Sequence, residues 1–333
     1  MSNQPSSFKK ATTETSSLPL SMEEEHEIQN TFNDADWIYP MEGCLVSLFE
    51  KQVRRYPENP AVFFGAVWLS YKELDNSSNQ VANYLLSHGI GVGQLIPVWM
   101  DRSIEWLVAV LGILKTGAAY VPIDSADPLK HAAFIIEDTK AKVIIANRNC
   151  GSDLALNDET ELFFLDQLSV LSEYSTDSTA IYPDENSLAY VIYTSGATGG
   201  TKGFMIEHQS IQHLVTWHNR KFDLDENCRL GLVAGLSLDI SVWETWSALA
   251  CGGTLHIPKE EERMDAISLL NFFSLHQITH AYAPPVFLPS IIARSNVQAG
   301  LNLKCLFTGT EQLKPLSTER LPFHLVDNYK PTI

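Results

Sequence analysis

The sequence has 333 residues, of which 45% are hydrophobic and 10% aromatic, enough to bury a large core in one or two domains. Its 40 acidic and 23 basic residues give a formal net charge of -17, which disfavours binding to nucleic acid and to anionic membranes. The five cysteines include no Cys-X-X-Cys pair, so neither a disulfide framework nor a zinc ribbon is predicted. The apolar run Leu107 to Leu114 is too short to span a membrane and the polar start lacks a secretory signal, so we predict a soluble, cytoplasmic protein.

The N-terminal region is polar before the first periodic element. Residues 1–19 are predicted to form a disordered tail and residues 20–44 a linker. Ser70 and Glu73 then form a capping-box pattern that begins a helix, and Gly89 ends it. The apolar residues of that helix recur on one face: Leu74, Val81, Ala82 and Leu85.

Strands and helices alternate through most of the chain. The predicted strands are short apolar runs at 61–64, 67–69, 95–100, 119–123, 142–146, 188–193, 229–233, 254–257, 279–282 and 304–307. Further helices are predicted at 103–116 and 129–139. Continuous apolar strands are typical of sheets covered by helices on both faces. The pattern therefore predicts a layered α/β/α fold.

The segment from Leu188 to His208 reads LAYVIYTSGATGGTKGFMIEH, in which hydroxyls, glycines and one lysine follow an apolar strand. Glycines let a backbone fold closely around an anion, hydroxyls donate hydrogen bonds, and a lysine neutralises phosphate charge. A triphosphate-binding loop and a flexible surface loop both fit this composition. A Walker loop does not, because Gly203 follows Lys202 where a P-loop needs Ser or Thr to hold magnesium.

Several motifs in order resemble one family. The segment above resembles the phosphate-loop signature of the adenylate-forming superfamily, and its flanks are most similar to the amino-acid adenylation domains of non-ribosomal peptide synthetases. Further resembling motifs are LSYKELDNSSNQ at 69–80, LGILKTGAAYVPIDSADP at 111–128, SLDISVWETWSALACGGTL at 237–255, LFTGTEQL at 306–313 and DNYKPTI at 327–333. The resemblance implies that residues 45–333 are the N-terminal lobe of an AMP-binding adenylation domain, truncated and without its C-terminal lobe, and that residues 20–40 derive from the segment that precedes such domains.

The resemblance also implies a reaction and a set of site residues. The reaction is ATP-dependent activation of an amino acid as aminoacyl-AMP, with Mg²⁺ accompanying ATP and the phosphopantetheine thiol of a separate carrier domain receiving the product. The residues matched to the ATP phosphates are Thr194, Ser195, Gly196, Thr198, Gly199 and Lys202. Those matched to adenine or AMP are Gly309, Thr310, Tyr329 and Thr332.

The amino-acid pocket is matched in the same way. Asp239 matches the aspartate that pairs with the substrate's α-ammonium group, and a carboxylate facing a cation is a sound arrangement. The matched side-chain pocket consists of Ile240, Trp243, Tyr282, Leu306, Thr308 and Asn328, which suggests a modest side chain of mixed polarity. Without the family, Asp239 is a surface or helix-capping residue and the two aromatic residues belong to the core.

Some residues depart from the family pattern. Ala197 stands in place of Ser or Thr, Thr201 in place of Pro, and Lys330 in place of Gly. Ile333 stands in place of the glutamate that helps to hold magnesium, and isoleucine cannot bind a hard cation. The family's catalytic lysine falls beyond Ile333, so no catalytic residue is assigned and we predict negligible adenylation by the isolated polypeptide.

Other candidate residues receive structural interpretations. His208, His213 and His218 are spaced five apart and do not share a helical face, so no metal site is predicted. The run Glu260 to Glu262 is interpreted as solvated, and Cys251, without a nearby base, as a core residue.

The sequence alone is compatible with three functions. The chain is an amino-acid-activating component in secondary metabolism, assisted by a peptidyl carrier protein or a separate C-terminal lobe. Alternatively it is a nucleotide or amino-acid binding module without catalysis, or a remnant of a synthetase gene. The lost catalytic groups favour the binding module, and the abrupt end together with Lys330 and Ile333 favours the remnant.

Overall fold

A computed structural model describes residues 43–152, 154, 160–195, 201–296, 298–309 and 321–327, with only the backbone described at residue 195. All of them belong to one compact unit, Met41–Ile333. Of the predicted tail and linker only residues 43 and 44 are described. The division of the chain into a tail, a linker and a domain therefore stays a prediction. Within the described ranges, every helix is too short or too polar to cross a membrane.

The helices follow the predicted alternation. They are α1 (Leu45–Arg55), α2 (Tyr71–Ser87), α3 (Ile104–Leu114), α4 (Leu129–Thr139), α5 (Arg148–Gly151), α6 (His208–Lys221), α7 (Asp239–Cys251), α8 (Glu260–Arg263), α9 (Ala266–Leu275) and α10 (Leu288–Ser295). Short 3-10 turns lie at Leu168–Leu171 and Pro285–Phe287.

The strands form two sheets. They are β1 (Pro60–Phe64), β2 (Val67–Ser70), β3 (Leu95–Trp99), β4 (Ala119–Ile123), β5 (Val143–Ala146), β6 (Glu161–Phe164), β7 (Leu188–Ser195), β8 (Thr201–Glu207), β9 (Arg229–Gly231), β10 (Thr254–Ile257), β11 (His280–Tyr282), β12 (Cys305–Thr308) and β13 (His324–Asp327). The described strands of one sheet lie in the order β13-β12-β11-β9-β10-β1-β2 and those of the other in the order β6-β5-β3-β4-β7-β8. Each sheet is parallel except for one antiparallel edge strand, β2 or β8.

Helix α3 links the two sheets. It contacts β1 of the first sheet and β3 and β4 of the second, and nearly all of its residues are buried, as expected for a helix that is apolar all round. Gly112 lets α2 approach α3, because a Cβ there would lie 2.5 Å from the Cβ of Val81. Helix α4 packs against β3 through a separate apolar cluster, which includes Trp99 and Ile135. The predicted layered α/β fold is therefore confirmed.

The helix signals in the sequence agree with the structure. The Ser70 hydroxyl accepts a hydrogen bond from the Glu73 amide at 3.2 Å, and the Glu73 carboxylate accepts one from the Ser70 amide at 2.8 Å. The backbone amide and the hydroxyl of Ser70 both donate to the Glu73 carboxylate, which holds the pKa of Glu73 below its usual value. Helix α2 ends at Ser87, and Gly89 follows with φ of +72°, which glycine adopts readily. The predicted capping box is confirmed.

Two predicted boundaries are wrong. The strand predicted at 229–233 ends at Gly231. From Leu232 to Ala234, side chains rather than a neighbouring strand bind most of the main-chain N–H and C=O groups. The segment predicted as a loop from Thr194 to Gly203 is a hairpin in which Lys202 belongs to β8 and pairs with Thr194 of β7. Only residues 196–200, which lie outside the described residues, separate the two strands.

Candidate functional site

A cavity of about 550 Å³ brings together residues that are distant in the sequence. Helices α6 and α7 and strands β7, β11 and β12 each contribute side chains to its wall. The lining residues are Tyr190, Ile211, Leu214, Trp217, His218, Phe222, Asp239, Ile240, Trp243, Tyr282, Phe307, Thr308 and Gly309. The cavity lies beside the carboxyl ends of β11 and β12, where parallel sheets commonly bind ligands.

The carboxylate of Asp239 faces this cavity from the start of α7. Asp239 is the first residue of the helix, whereas Leu238 occupies the N-cap position and forms no side-chain cap bond. Asp239 is exposed rather than buried, and it has neither a hydrogen bond nor an ion pair within the part of the chain that the structure describes. The pKa of the neighbouring Tyr190 phenol is raised, mainly by burial and in addition by the negative charge of Asp239. An unpaired carboxylate on a cavity wall is suited to receive a cation.

The predicted side-chain pocket is largely assembled. Ile240, Trp243, Tyr282 and Thr308 all line the cavity. The Thr308 hydroxyl donates a hydrogen bond to the Ala283 carbonyl at 2.9 Å, which fixes its orientation. Trp243 and Tyr282 are both buried, as in the alternative interpretation of them as core aromatics, yet each also contributes to the cavity wall.

Leu306 is a different case, since it does not line the cavity. It is fully buried in β12, paired with Ala281 on one side and Leu325 on the other. Phe307 and Thr308, the last two residues of β12, line the cavity instead. The motif located the strand, while the fold determined that only the residues at its carboxyl end reach the cavity.

Sequence reasoning missed the wall formed by α6 and the residue after it. Ile211, Leu214, His218 and Phe222 recur at spacings of three or four residues and lie on one helical face. That spacing was the available signal, but it is equally typical of a helix that packs in the core. His208, His213 and His218 do not converge with other His, Cys, Asp or Glu side chains into a group of three within the described ranges.

The predicted phosphate-binding segment lies on the hairpin of β7 and β8. Thr194 and Lys202 are exposed and pair next to the tip of the hairpin. Tyr190 and Thr194 share one face of β7 by strand alternation, so Thr194 lies about 13 Å along the strand from the cavity. The hairpin therefore extends from the cavity wall towards the predicted loop.

The remaining predicted site residues are described only in part. Gly309 is buried at the cavity wall. The structure describes only the backbone of Ser195. Outside the described residues lie Gly196, Thr198, Gly199, Thr310, Asn328, Tyr329 and Thr332. Their assignments to phosphate, adenine and pocket stay predictions.

The half-buried Arg102 and the buried Glu244 hold the chain segment that leads into α7. The Arg102 guanidinium donates hydrogen bonds of 2.6 Å to the carbonyls of Leu232 and Ala234. The Glu244 carboxylate accepts hydrogen bonds of 3.0 Å from the amides of Val233 and Ala234. We call this arrangement the Arg102–Glu244 clamp. It fixes the backbone five residues before Asp239, and sequence reasoning did not identify it.

Burial and charge act in opposite directions on the clamp. Burial raises the pKa of Glu244 to about 8, and the two backbone donors and the guanidinium groups of Arg102 and Arg263 offset this rise only in part. Both carboxylate oxygens accept amide hydrogens, an arrangement that suits the ionised form. The hydrogen bonds of Arg102 and Glu244 hold one backbone geometry, and leaving a buried group without its partner is costly.

Two other cavities contain none of the predicted site residues. One of about 890 Å³ lies beside Lys221, His280 and Phe323, and one of about 350 Å³ lies beside Arg102 and Lys259. The larger volume alone does not identify a site, because a ligand needs converging polar groups as well as space. The cavity at Asp239 combines both.

Comparison with known proteins places the chain in a family. The family described as "AMP-binding enzyme" matches residues 49–325. Bacitracin synthase 1 of Bacillus licheniformis is 33% identical over 313 residues, which are 94% of this chain and 6% of that protein. The chain therefore spans only a small part of the curated relatives that it matches.

Solved structures agree with that assignment. The non-ribosomal peptide synthetase FmoA3 aligns with a TM-score of 0.78 and 27% identity over 86% of this chain and 31% of that chain, and one of its forms holds AMPPNP. The N-terminal subdomain of NpsA from Klebsiella oxytoca, 20% identical, shares the fold with a TM-score of 0.70 over 82% of this chain and 67% of that chain. Together with the match over residues 49–325, these findings show that the chain belongs to the family of AMP-binding enzymes.

Proposed function

We propose that the chain takes part in activating an amino acid with ATP as aminoacyl-AMP in non-ribosomal peptide synthesis. The observation that carries this proposal is the single cavity that joins Asp239 to Trp243, Tyr282 and Thr308. In the reaction, a carboxylate oxygen of the amino acid forms a bond to the α-phosphorus of ATP. The bond from that phosphorus to the bridging oxygen breaks, and pyrophosphate leaves.

Asp239 would bind the α-ammonium group of the substrate. It is the one formally charged side chain at neutral pH among the described cavity residues, since the pKa of His218 is lowered to about 4 by burial. A charge-assisted hydrogen bond from an ammonium group to this carboxylate would orient the substrate, leaving its side chain against the aromatic wall.

The phosphates of ATP would lie at the tip of the β7–β8 hairpin. Lys202 and Thr194 supply a cation and a hydroxyl there, and the loop residues Ser195, Gly196, Thr198 and Gly199 would supply further donors. Gly309, Thr310, Tyr329 and Thr332 would contact the AMP portion, and Asn328 would complete the amino-acid pocket. Magnesium would arrive with ATP, and we assign it no protein ligand.

The product would be consumed by a separate partner. A carrier domain's phosphopantetheine thiol would attack the aminoacyl carbonyl and release AMP, and a separate C-terminal lobe would supply the catalytic lysine. The similarity to part of much longer synthetases supports a role in non-ribosomal peptide synthesis. We place the reaction in the cytoplasm, in secondary metabolism.

Calorimetry tests the binding half of the proposal. The 333-residue chain would be titrated with the twenty aminoacyl sulfamoyl adenosines, which are non-hydrolysable mimics of aminoacyl-AMP. We expect one or a few to bind, and Asp239→Asn to weaken that binding by about tenfold to a hundredfold, the value of a charge-assisted bond. Glu261→Gln, which changes an exposed carboxylate outside this cavity, is the matched control. Failure of every mimic to bind would refute the proposal.

Pyrophosphate exchange separates catalysis from binding alone. The departures at Lys330 and Ile333 favour a second candidate, a binding module without catalysis. We expect negligible exchange by the chain alone, and measurable exchange when the separately expressed C-terminal lobe of a related synthetase is added. Tight binding of a mimic with no exchange in the presence of that lobe would favour the second candidate.

A further inference from the structure

One buried polar side chain lies in the aromatic part of the cavity wall. His218 on α6 lines the cavity and is 3% exposed. Its ring centroid lies 4.8 Å from that of Trp243, 4.9 Å from that of Phe222 and 5.0 Å from that of Phe307. A polar ring among three apolar rings is an uncommon choice unless its nitrogen atoms have partners.

The hydrogen bonds on one side of the ring determine which nitrogen carries the proton. The Asn219 amide nitrogen donates to the Ser247 carbonyl at 2.9 Å, so the Asn219 carbonyl oxygen is the atom that faces Nδ1 of His218, at 3.2 Å. That oxygen can only accept, so Nδ1 carries the hydrogen, and the Ser247 hydroxyl oxygen, 3.4 Å from Nδ1, can act as a second acceptor. Burial keeps the ring neutral at pH 7 by lowering the pKa of His218 to about 4. Nε2 is therefore an unprotonated acceptor.

This acceptor has no protein partner. Nε2 of His218 is buried and lacks a hydrogen bond within the part of the chain that the structure describes. His208, His256 and His280 also have unpartnered ring nitrogens, but none of them lines the cavity at Asp239. Among these four histidines, His218 is therefore the one whose ring borders the cavity that a ligand would fill.

We infer that His218 determines substrate specificity by accepting a hydrogen bond from the substrate's side chain. The substrate is then an amino acid whose side chain has an apolar body, which packs on Trp243 and Phe307, and a neutral O–H or N–H group, which reaches Nε2. Asp239 binds the α-ammonium group, so the two polar contacts orient opposite parts of one molecule. This inference rests on the proposed function and names the substrate class for the same cavity.

The panel of twenty aminoacyl sulfamoyl adenosines tests it. We expect the mimic that binds most tightly to carry a neutral side-chain O–H or N–H, and its isostere without that group to bind at least tenfold more weakly, equivalent to about 1.4 kcal/mol. In His218→Phe, which keeps an aromatic ring but has no acceptor, the preference for the donor over the isostere should disappear. The exposed His213→Phe on the same helix is the matched control and should keep the preference.

Each outcome has a separate meaning. If the tightest mimic has no side-chain donor, or if His218→Phe keeps the preference, the inference about His218 is overturned while the proposed function stands. If no mimic binds, the proposed function fails and this inference fails with it. If His218→Phe does not fold, the comparison of the tightest mimic with its isostere on the unaltered chain still decides the question.

Discussion

Replacing Glu244 with glutamine is the sharpest test of the Arg102–Glu244 clamp. Glutamine retains one acceptor oxygen, so one of the buried amides of Val233 and Ala234 would keep its partner and the other would face an amide NH₂ group. An unsatisfied buried donor costs about 1 to 3 kcal/mol. At a pH above about 8, where Glu244 is ionised, loss of its negative charge beside the half-buried Arg102 adds to that cost. We expect Glu244→Gln to lower the free energy of unfolding by roughly 3 kcal/mol, a large share of the ~5 to 15 kcal/mol typical of a domain.

Urea denaturation followed by tryptophan fluorescence would measure this change, since the chain contains 7 tryptophans. Glu261→Gln is the control, because Glu261 is exposed and its replacement should alter stability by less than about 0.5 kcal/mol. If the two variants have the same stability, the carboxylate of Glu244 does not hold the backbone in the way described. The clamp would then also lose its role in positioning Asp239.

Three further changes test other parts of the fold. Lys115→Met should destabilise the chain by about 3 kcal/mol in urea, because the buried ammonium lies 2.6 Å from the Asp75 carboxylate and its removal leaves that charge unpaired. Gly112→Ala should lower Tm by overpacking α2 against α3, at a cost of about 1 to 3 kcal/mol, because the added Cβ would lie 2.5 Å from Val81. Lowering the pH from 6.5 to 4 should reduce the free energy of unfolding, because burial lowers the pKa of His208 from 6.5 to about 4. Below pH 6.5 this histidine takes up a proton in the unfolded chain but not in the folded one, which costs up to about 3 kcal/mol of stability by pH 4.

Controls accompany these three measurements. The control for Lys115→Met is Lys72→Met, which changes an exposed lysine on α2. The control for Gly112→Ala is Gly65→Ala, where no atom lies within 4 Å of the new Cβ, although the φ of +60° at Gly65 adds backbone strain. The pH series would be repeated with His208→Gln, which should flatten the decline. A Lys115→Met protein as stable as wild type, an unchanged Tm for Gly112→Ala, or a pH profile unaltered by His208→Gln would each contradict the corresponding explanation.

Much of the candidate site was predictable because its motifs are local. The motif beginning at Ser237 identified Asp239, Ile240 and Trp243 together, and the structure places all three on the cavity wall. Tyr282 and Thr308 were matched independently and lie on the same wall. Leu306 could not be settled in this way, because a short motif locates a strand but not which of its residues reach the cavity, here Phe307 and Thr308 at the carboxyl end of β12.

The sequence by itself determined the alternation of strands and helices, the capping box at Ser70 and the order of the family motifs. Each of these depends on residues within a few positions of one another, through periodicity or local hydrogen bonding. Only the tertiary structure decided that α6 forms a wall of the cavity and that Arg102 binds carbonyl groups 130 and 132 residues away. Such contacts depend on how helices pack on sheets, and a helix with an apolar stripe has the same sequence pattern whether that stripe faces a ligand cavity or the core.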